Sequence, residues 1–316
     1  MSRNALKALA ATIHDWHPPA ISEDILCGDM PGDKVQIEEG HVEKANTIFP
    51  ILVPMAAERA KNGRVVIAVC GGSGVGKSEI ASLLSHYFRC AGIDCYTLSG
   101  DNYPRRIPMY NDAERVRIFR TAGLRELVDA GEYTQSAKEA LFDLWRVEQD
   151  ANPELTAQYP WLATYQRRGR EALSEYLGTD LEQDYQELGS IIRRFKDGDK
   201  KLYLKRMGRT EDQRWYDLVD FSSTQVLMIE WTHGNSDFLQ GVDIPILLNS
   251  TPEQTREHRR SRNRDGKTDS PFTTMVLEIE QAELNKCAHK AEIIIAKTGE
   301  RLTFTQYKSE MGEEGW

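Results

Sequence analysis

Residues 64–78 constrain this chain more than any other stretch. RVVIAVC is a continuous, largely β-branched apolar run, and GGSGVGKS follows it without a break. A strand that is apolar at every position is buried on both faces, which is the mark of a parallel sheet covered by helices. Gly71-Gly72-Ser73-Gly74-Val75-Gly76-Lys77-Ser78 satisfies the phosphate-loop pattern G-x-x-x-x-G-K-[ST] in full. The glycines let successive backbone N–H groups turn inward around phosphate oxygens, and the helix that follows points its N-terminus at the same charge. Lys77 is then placed to reach the β- and γ-phosphates, and the Ser78 hydroxyl to ligate magnesium. The expected ligand is a nucleoside triphosphate with Mg2+.

The surrounding chain agrees with a strand–loop–helix context. Lys77–Cys90 reads as a helix with Ile80, Leu83, Leu84 and Phe88 on one side, and Asp94–Leu98 as a second strand, giving one βαβ unit. Gln225–Ile229, Val242–Leu248 and Glu292–Ala296 read as further strands; Pro245 argues for an edge position or a bulge in the second of these. Between about residues 111 and 198 the chain is helical in character. Its aromatic residues Phe142, Trp145, Tyr159, Trp161, Tyr165, Tyr176 and Tyr185 are expected to form a packing layer. The fold class is therefore α/β: a P-loop NTPase-type parallel sheet sandwiched by helices, with a long, mainly helical insertion. The expected organisation is an N-terminal extension over 1–62, with a helix near His41–Lys61, then a nucleotide-binding domain over 63–300. The insertion runs from about 125 to 215, and a tail covers 301–316.

Composition narrows the function classes. The chain has 316 residues, 40% of them hydrophobic and 28% charged, enough for a packed core. Its formal net charge of -9 is opposite to the basic field of a general nucleic-acid binder. No run approaches the roughly 18 apolar residues of a bilayer span. The 5 cysteines form no CxxC pair and are odd in number, which reads as reduced thiols, with Cys70 a buried small hydrophobe. Met1–Pro18 lacks the apolar core of a secretory leader, and His14 and His17 have no third metal ligand at a suitable spacing. A cytoplasmic location is expected, with neither nucleic acid nor membrane as partner; homo-oligomer formation is left open.

Two acids fall at strand ends, where ligands bind in open α/β sheets: Asp101 in Ser99-Gly100-Asp101-Asn102-Tyr103, and Glu230 straight after QVLMI. Phosphoryl transfer needs a carboxylate to orient the attacking hydroxyl and another near the metal. Asp101 and Glu230 are the candidates, with Ser78 and Glu230 as the metal set. Arg259, Arg260, Arg262 and Arg264 make a basic segment suited to close over phosphates, with Arg260 and Arg264 as nucleotide contacts. Tyr103, Arg105, Arg106 and His233 are candidate acceptor contacts, the two arginines for an anionic substrate.

Together these residues resemble the uridine kinase and phosphoribulokinase family of P-loop kinases. GGSGVGKS is similar to that family's loop, Asp101-Asn102-Tyr103 to its Asp-x-Tyr segment, Ile229-Glu230-Trp231-Thr232-His233 to its Glu-Gly-x-His strand end, and Arg259–Asp265 to its lid. The resemblance implies ATP as donor, Asp101 as catalytic base, and a hydroxyl of a small metabolite as acceptor. Trp231 stands where the family has glycine, so the pocket beside Glu230 must differ in shape. A second similarity runs from Leu98-Ser99-Gly100-Asp101-Asn102 to the corresponding segment of adenylylsulfate kinases. The alternative from another class is a nucleotide-binding regulatory protein; the DxxG and NKxD motifs of switch GTPases are missing after Ser78.

Overall fold

The computed structural model describes residues 5–21, 25–251, 254–255 and 270–312. The phosphate loop leaves β1 (Val65–Gly71), whose residues are all buried. Alternate side chains of β1 serve two different cores. Val65, Ile67 and Val69 face one layer of helices, while Val66 and Ala68 face the other. A strand read as apolar throughout is thus a strand with two inner faces, each buried Val or Ile contributing about 1.5–3 kcal/mol relative to exposure.

The extension supplies α1 (Ala5–Thr12) and α2 (Glu39–Arg59). Ile48, Leu52, Val53 and Ala56 of α2 lie in the first core, beside α3 (Lys77–Cys90). β2 (Cys95–Ser99) follows. The next region is helical, as expected, with α4 (Pro108–Asp129), α5 (Gln135–Arg146), α6 (Trp161–Ser174) and α7 (Tyr185–Asp197). α4 and α6 pack around Phe119, Leu127, Leu162 and Tyr165. Tyr165 accepts from Trp145 Nε1 at 3.0 Å and donates to Asp150 at 2.9 Å, so the aromatic layer is tied as well as packed.

An antiparallel hairpin, β3 (Lys201–Met207) and β4 (Arg214–Asp220), then packs on the second core through Leu202 and Leu204 of β3, with β4 outermost. β5 (Val226–Glu230) and β6 (Ile244–Leu248) return to the sheet. α8 (Pro271–Cys287), β7 (Ile293–Ile295), β8 (Arg301–Leu302) and α9 (Phe304–Met311) complete the described chain. The main sheet runs β2-β5-β1-β6-β7-β8, parallel except for β8. Among the described residues no helix is long and apolar enough to cross a membrane.

The βαβ unit is present, with β5 lying between β1 and β2 and pairing in parallel with both. One expectation changes: β6 is an interior strand, not an edge, despite Pro245. The ladder between β6 and β7 begins only at Ile246 opposite Ile293, one residue after the proline, so no ladder bond is lost to the missing N–H. Pro245 instead accepts from Glu292 N at 2.9 Å through its carbonyl.

The register fixes the site. Glu230 lies opposite Ser99 on one side and Val69 on the other. Two residues beyond Ser99 is Asp101, and two beyond Val69 is Gly71, where the glycine loop starts.

Candidate active site

The loop is held open by its helix and by α2. Gly76 takes φ 96°, in the left-handed region, and its carbonyl accepts from Ile80 N at 2.9 Å, opening the helix. A Cβ at Gly76 would fall 2.9 Å from the His41 ring, so α2 is packed directly on the loop. The Lys77 ammonium donates to the Gly72 carbonyl at 3.0 Å, folded across the loop it would leave to meet a phosphate.

The Ser78 hydroxyl donates to Glu230 Oε2 at 2.8 Å. Glu230 is 4% exposed. Burial, and then the neighbouring Asp101 carboxylate, push it up to about 7, while Ser78 and the Lys77 charge oppose the rise. A hydroxyl and a buried carboxylate side by side at a phosphate cradle form the hard-oxygen donor pair that magnesium takes, alongside phosphate oxygens. A cation there would also relieve the charge that burial makes costly. The donor chemistry of Ser78 and Glu230 therefore fits Mg2+.

Asp101 lies in a single 3-10 turn, Gly100–Asn102, and is exposed. Trp231 is 2% exposed and fills the space behind that turn, in contact with Tyr185 and with His233 edge-on at 5.2 Å. A buried ionic cluster adjoins His233. Glu182, fully buried, accepts from Arg115 Nε at 2.7 Å, Asn111 Nδ2 at 3.0 Å and Gly178 N at 2.8 Å. Burial alone would raise Glu182, but Arg115 and the Gly178 N–H outweigh it and hold the carboxylate below its usual range. Arg115 also faces Glu280 of α8 at 3.8 Å. Burial raises Glu280 against the pull of Arg115, and both Lys77 and Asp101 are close enough to act on it. Glu280 and Gln281 line a small cleft with Gly72 and Ser73, which brings α8 over the loop. Burial also pushes the His233 imidazole down to about 4, so it is neutral near pH 7.

Other candidates fall elsewhere. Tyr103 is fully buried in the second core, and the Lys205 ammonium lies 5.0 Å from its ring centroid, so it supports the hairpin and does not line the pocket. Arg105 is bound to Asp180 at 2.8 Å and faces Asp184 at 3.8 Å. Arg106 donates to the Tyr176 hydroxyl at 3.0 Å and faces Glu114 at 3.7 Å. Both arginines are engaged by the protein itself, which is not the arrangement an anionic acceptor would need. Arg260 and Arg264 lie outside the described residues. Glu182 and Glu280 escaped the sequence reading, and Arg115 entered it only within the Asn111–Arg115 run that resembles adenylylsulfate kinases. The three come from distant segments with no shared motif.

No family model matches the chain. A bifunctional alpha-galactosidase/sucrose kinase of Mediterraneibacter gnavus is 36% identical over 236 residues, covering 75% of this chain and 20% of that protein. The chain thus spans about a fifth of the length of the curated relative it matches. A solved structure described as a possible uridine kinase from Bacillus stearothermophilus aligns at TM-score 0.41 and 17% identity, over 80% of this chain and 97% of that one. The YGR205w protein aligns at TM-score 0.45 and 10% identity, over 84% and 98% of the two chains. Likeness at this level adds nothing to the architecture described above.

Proposed function

We propose, from the premise that this is a P-loop nucleotide-binding protein of the parallel α/β class, that the chain is an ATP-dependent kinase. In this reading it transfers the γ-phosphate to a hydroxyl of a small uncharged sugar. The observation that carries the reading is the Ser78–Glu230 hydrogen bond at the foot of the glycine loop, with Asp101 close enough to raise the Glu230 pKa. A nucleotide switch would need the loop and the metal pair, but a second carboxylate beside them is what hydroxyl activation requires.

The triphosphate lies along residues 71–78, where backbone N–H groups and the N-terminus of α3 face its oxygens. Lys77 swings from the Gly72 carbonyl to the β- and γ-phosphates. Ser78 and Glu230 would hold Mg2+, which would supply charge neutralisation on the phosphate oxygens. Asp101 accepts the proton of the acceptor hydroxyl as that oxygen attacks the γ-phosphorus. The bond from the γ-phosphorus to the β–γ bridging oxygen breaks, and ADP leaves. The segment with Arg260 and Arg264 adds positive charge to the phosphates.

Two observations favour an uncharged acceptor. Arg105, Arg106 and Arg115 are each paired with carboxylates, which leaves none of the three arranged for an anionic group. The relative's name includes a sucrose kinase, and of the two activities in that name only the kinase uses a phosphate loop. Sucrose is therefore the first acceptor to try. The test is magnesium-dependent ADP release with sucrose, other sugars, polyols, nucleosides, sugar phosphates and adenylylsulfate. Strong stimulation by a neutral sugar, abolished in Lys77→Ala, is expected. Stimulation by adenylylsulfate alone would favour the sulfonucleotide alternative. ADP release that no acceptor accelerates would favour a regulatory nucleotide binder.

A further inference from the structure

The extension reaches into the site through one side chain. Asp29 is 8% exposed at its side chain, and both of its carboxylate oxygens are fully used. Oδ1 accepts from the Ser99 backbone N–H at 2.7 Å and from Asn102 Nδ2 at 3.0 Å. Oδ2 accepts from the Tyr96 hydroxyl at 3.0 Å and from Arg206 Nη1 at 2.9 Å. Ser99 and Asn102 bracket the turn that carries Asp101, so one carboxylate grips both flanks of it.

The grip extends to the hairpin. Arg206 of β3 also donates to the Tyr96 hydroxyl at 2.9 Å and pairs with Asp217 of β4 at 3.0 Å. Asn102 Oδ1 accepts from Met207 N at 3.0 Å. Three separate parts of the chain, the extension, the end of β2 and the hairpin, thus meet at Asp29. The preceding residue touches the metal side: a Cβ at Gly28 would lie 3.5 Å from Glu230 Oε1. Residues 28–29 therefore lie against Glu230 and both ends of the Asp101 turn.

We propose that Asp29 is a positioning residue for phosphoryl transfer, holding Asp101 in line with the acceptor hydroxyl through Ser99, Asn102 and Arg206. The N-terminal extension is then a working part of the site. This rests on the kinase reading and on Asp101 as its base. The energetic logic is that of preorganisation: a charge-assisted cluster in a buried place fixes a turn that would otherwise sample several conformations. A base displaced by about 1 Å loses on the order of 100-fold in rate while substrate binding is spared.

The test uses the full chain, with sucrose or the panel sugar that the wild type prefers. Asp29→Asn keeps shape and removes the charge. It is expected to lower kcat on the order of 100-fold, with KM for ATP and Kd for Mg·ADP within about twofold. The decisive comparison is in the Asp101→Asn background. There the same change should alter kcat by less than about threefold, because the group it positions is gone. A merely structural role would lower kcat by the same factor in both backgrounds, and that result would overturn the proposal, as would an unchanged kcat in Asp29→Asn. Should Asp29→Asn not fold, Asn102→Ala severs the turn from the carboxylate and is expected to show the same dependence on Asp101; equal losses in both backgrounds would again overturn it. A wild type with no acceptor-dependent turnover would overturn the kinase reading and this inference together. An active wild type insensitive to Asp29→Asn would overturn this inference alone.

Discussion

Trp231 is packed face against Gly100, so closely that a Cβ built on Gly100 would fall 2.0 Å from Trp231 Cγ. The bulky side chain beside the Glu230 strand end and the missing side chain before Asp101 are complementary halves of one contact. Gly100→Ala is expected to push either the indole or the turn aside. Overpacking of this kind costs typically 1–3 kcal/mol. Thermal unfolding should show the loss, and kcat should fall more than KM for ATP rises. Wild-type kcat in Gly100→Ala would mean that the turn has slack the geometry does not suggest.

Magnesium binding should depend on pH. Because Glu230 is raised to about 7, metal binding below that pH must displace a proton, and above it need not. Calorimetry of Mg2+ binding with ADP, run in buffers of different ionisation enthalpy, should show proton release at pH 6 that disappears by pH 8.5. Glu230→Gln should bind metal weakly and show no such release. Equal release at both pH values would place the titrating group elsewhere.

His233 gives acid sensitivity of fold stability. Its folded pKa is lowered to about 4 from an unfolded value near 6.5, chiefly by burial. The folded state therefore takes up its proton later than the unfolded state does. Its contribution is present above pH 6.5 and is lost as pH falls from 6.5 to 4, on the order of 3 kcal/mol in all. Denaturant titrations at pH 7.5 and 5 should show a steeper loss in wild type than in His233→Gln. The same loss in both proteins would clear His233 of the effect.

Arg105 and Arg106 should be dispensable for the acceptor. Their partners are Asp180, Asp184, Glu114 and Tyr176, in partly exposed pairs whose worth is about 1 kcal/mol or less. Arg105→Gln and Arg106→Gln are expected to leave KM for the sugar within about twofold. A tenfold rise in either would return that arginine to the pocket and reopen an anionic acceptor.

What could be read from the sequence was what is encoded locally. The run 65–70 announced a strand with two buried faces, and the loop after it carried its own pattern, so the sheet and the phosphate site were both legible. The kinase in the relative's name agrees with the family resemblance drawn from those motifs. Asp101 and Glu230 stood out as candidates because an acid at a parallel strand's end has few structural reasons to be there. The hairpin was hinted at only by the similarity of Phe195–Gly198 to a segment that precedes one in the resembled family; its own residues hid it, because β4 (RWYDLVD) is largely exposed on both faces, which erases the alternation that marks a half-buried strand. Asp29 was missed because its partners Ser99 and Arg206 stand 70 and 177 residues away. Tyr103 was misjudged as a pocket residue because it stands only two residues after Asp101; the 3-10 turn Gly100–Asn102 breaks the strand alternation there, and Tyr103 is buried in the second core.

The most direct test of the central claim follows the γ-phosphate itself by phosphorus NMR, with ATP, Mg2+ and the preferred sugar, in wild type and Asp101→Asn. In wild type a sugar phosphate ester is expected to grow as the γ-resonance of ATP decays. In Asp101→Asn the ester should form roughly 100-fold more slowly, the scale of a lost acid–base group, with Mg·ATP binding retained. Appearance of free phosphate with no ester, at the same rate in both proteins, would contradict phosphoryl transfer to a hydroxyl and the role of Asp101 in it.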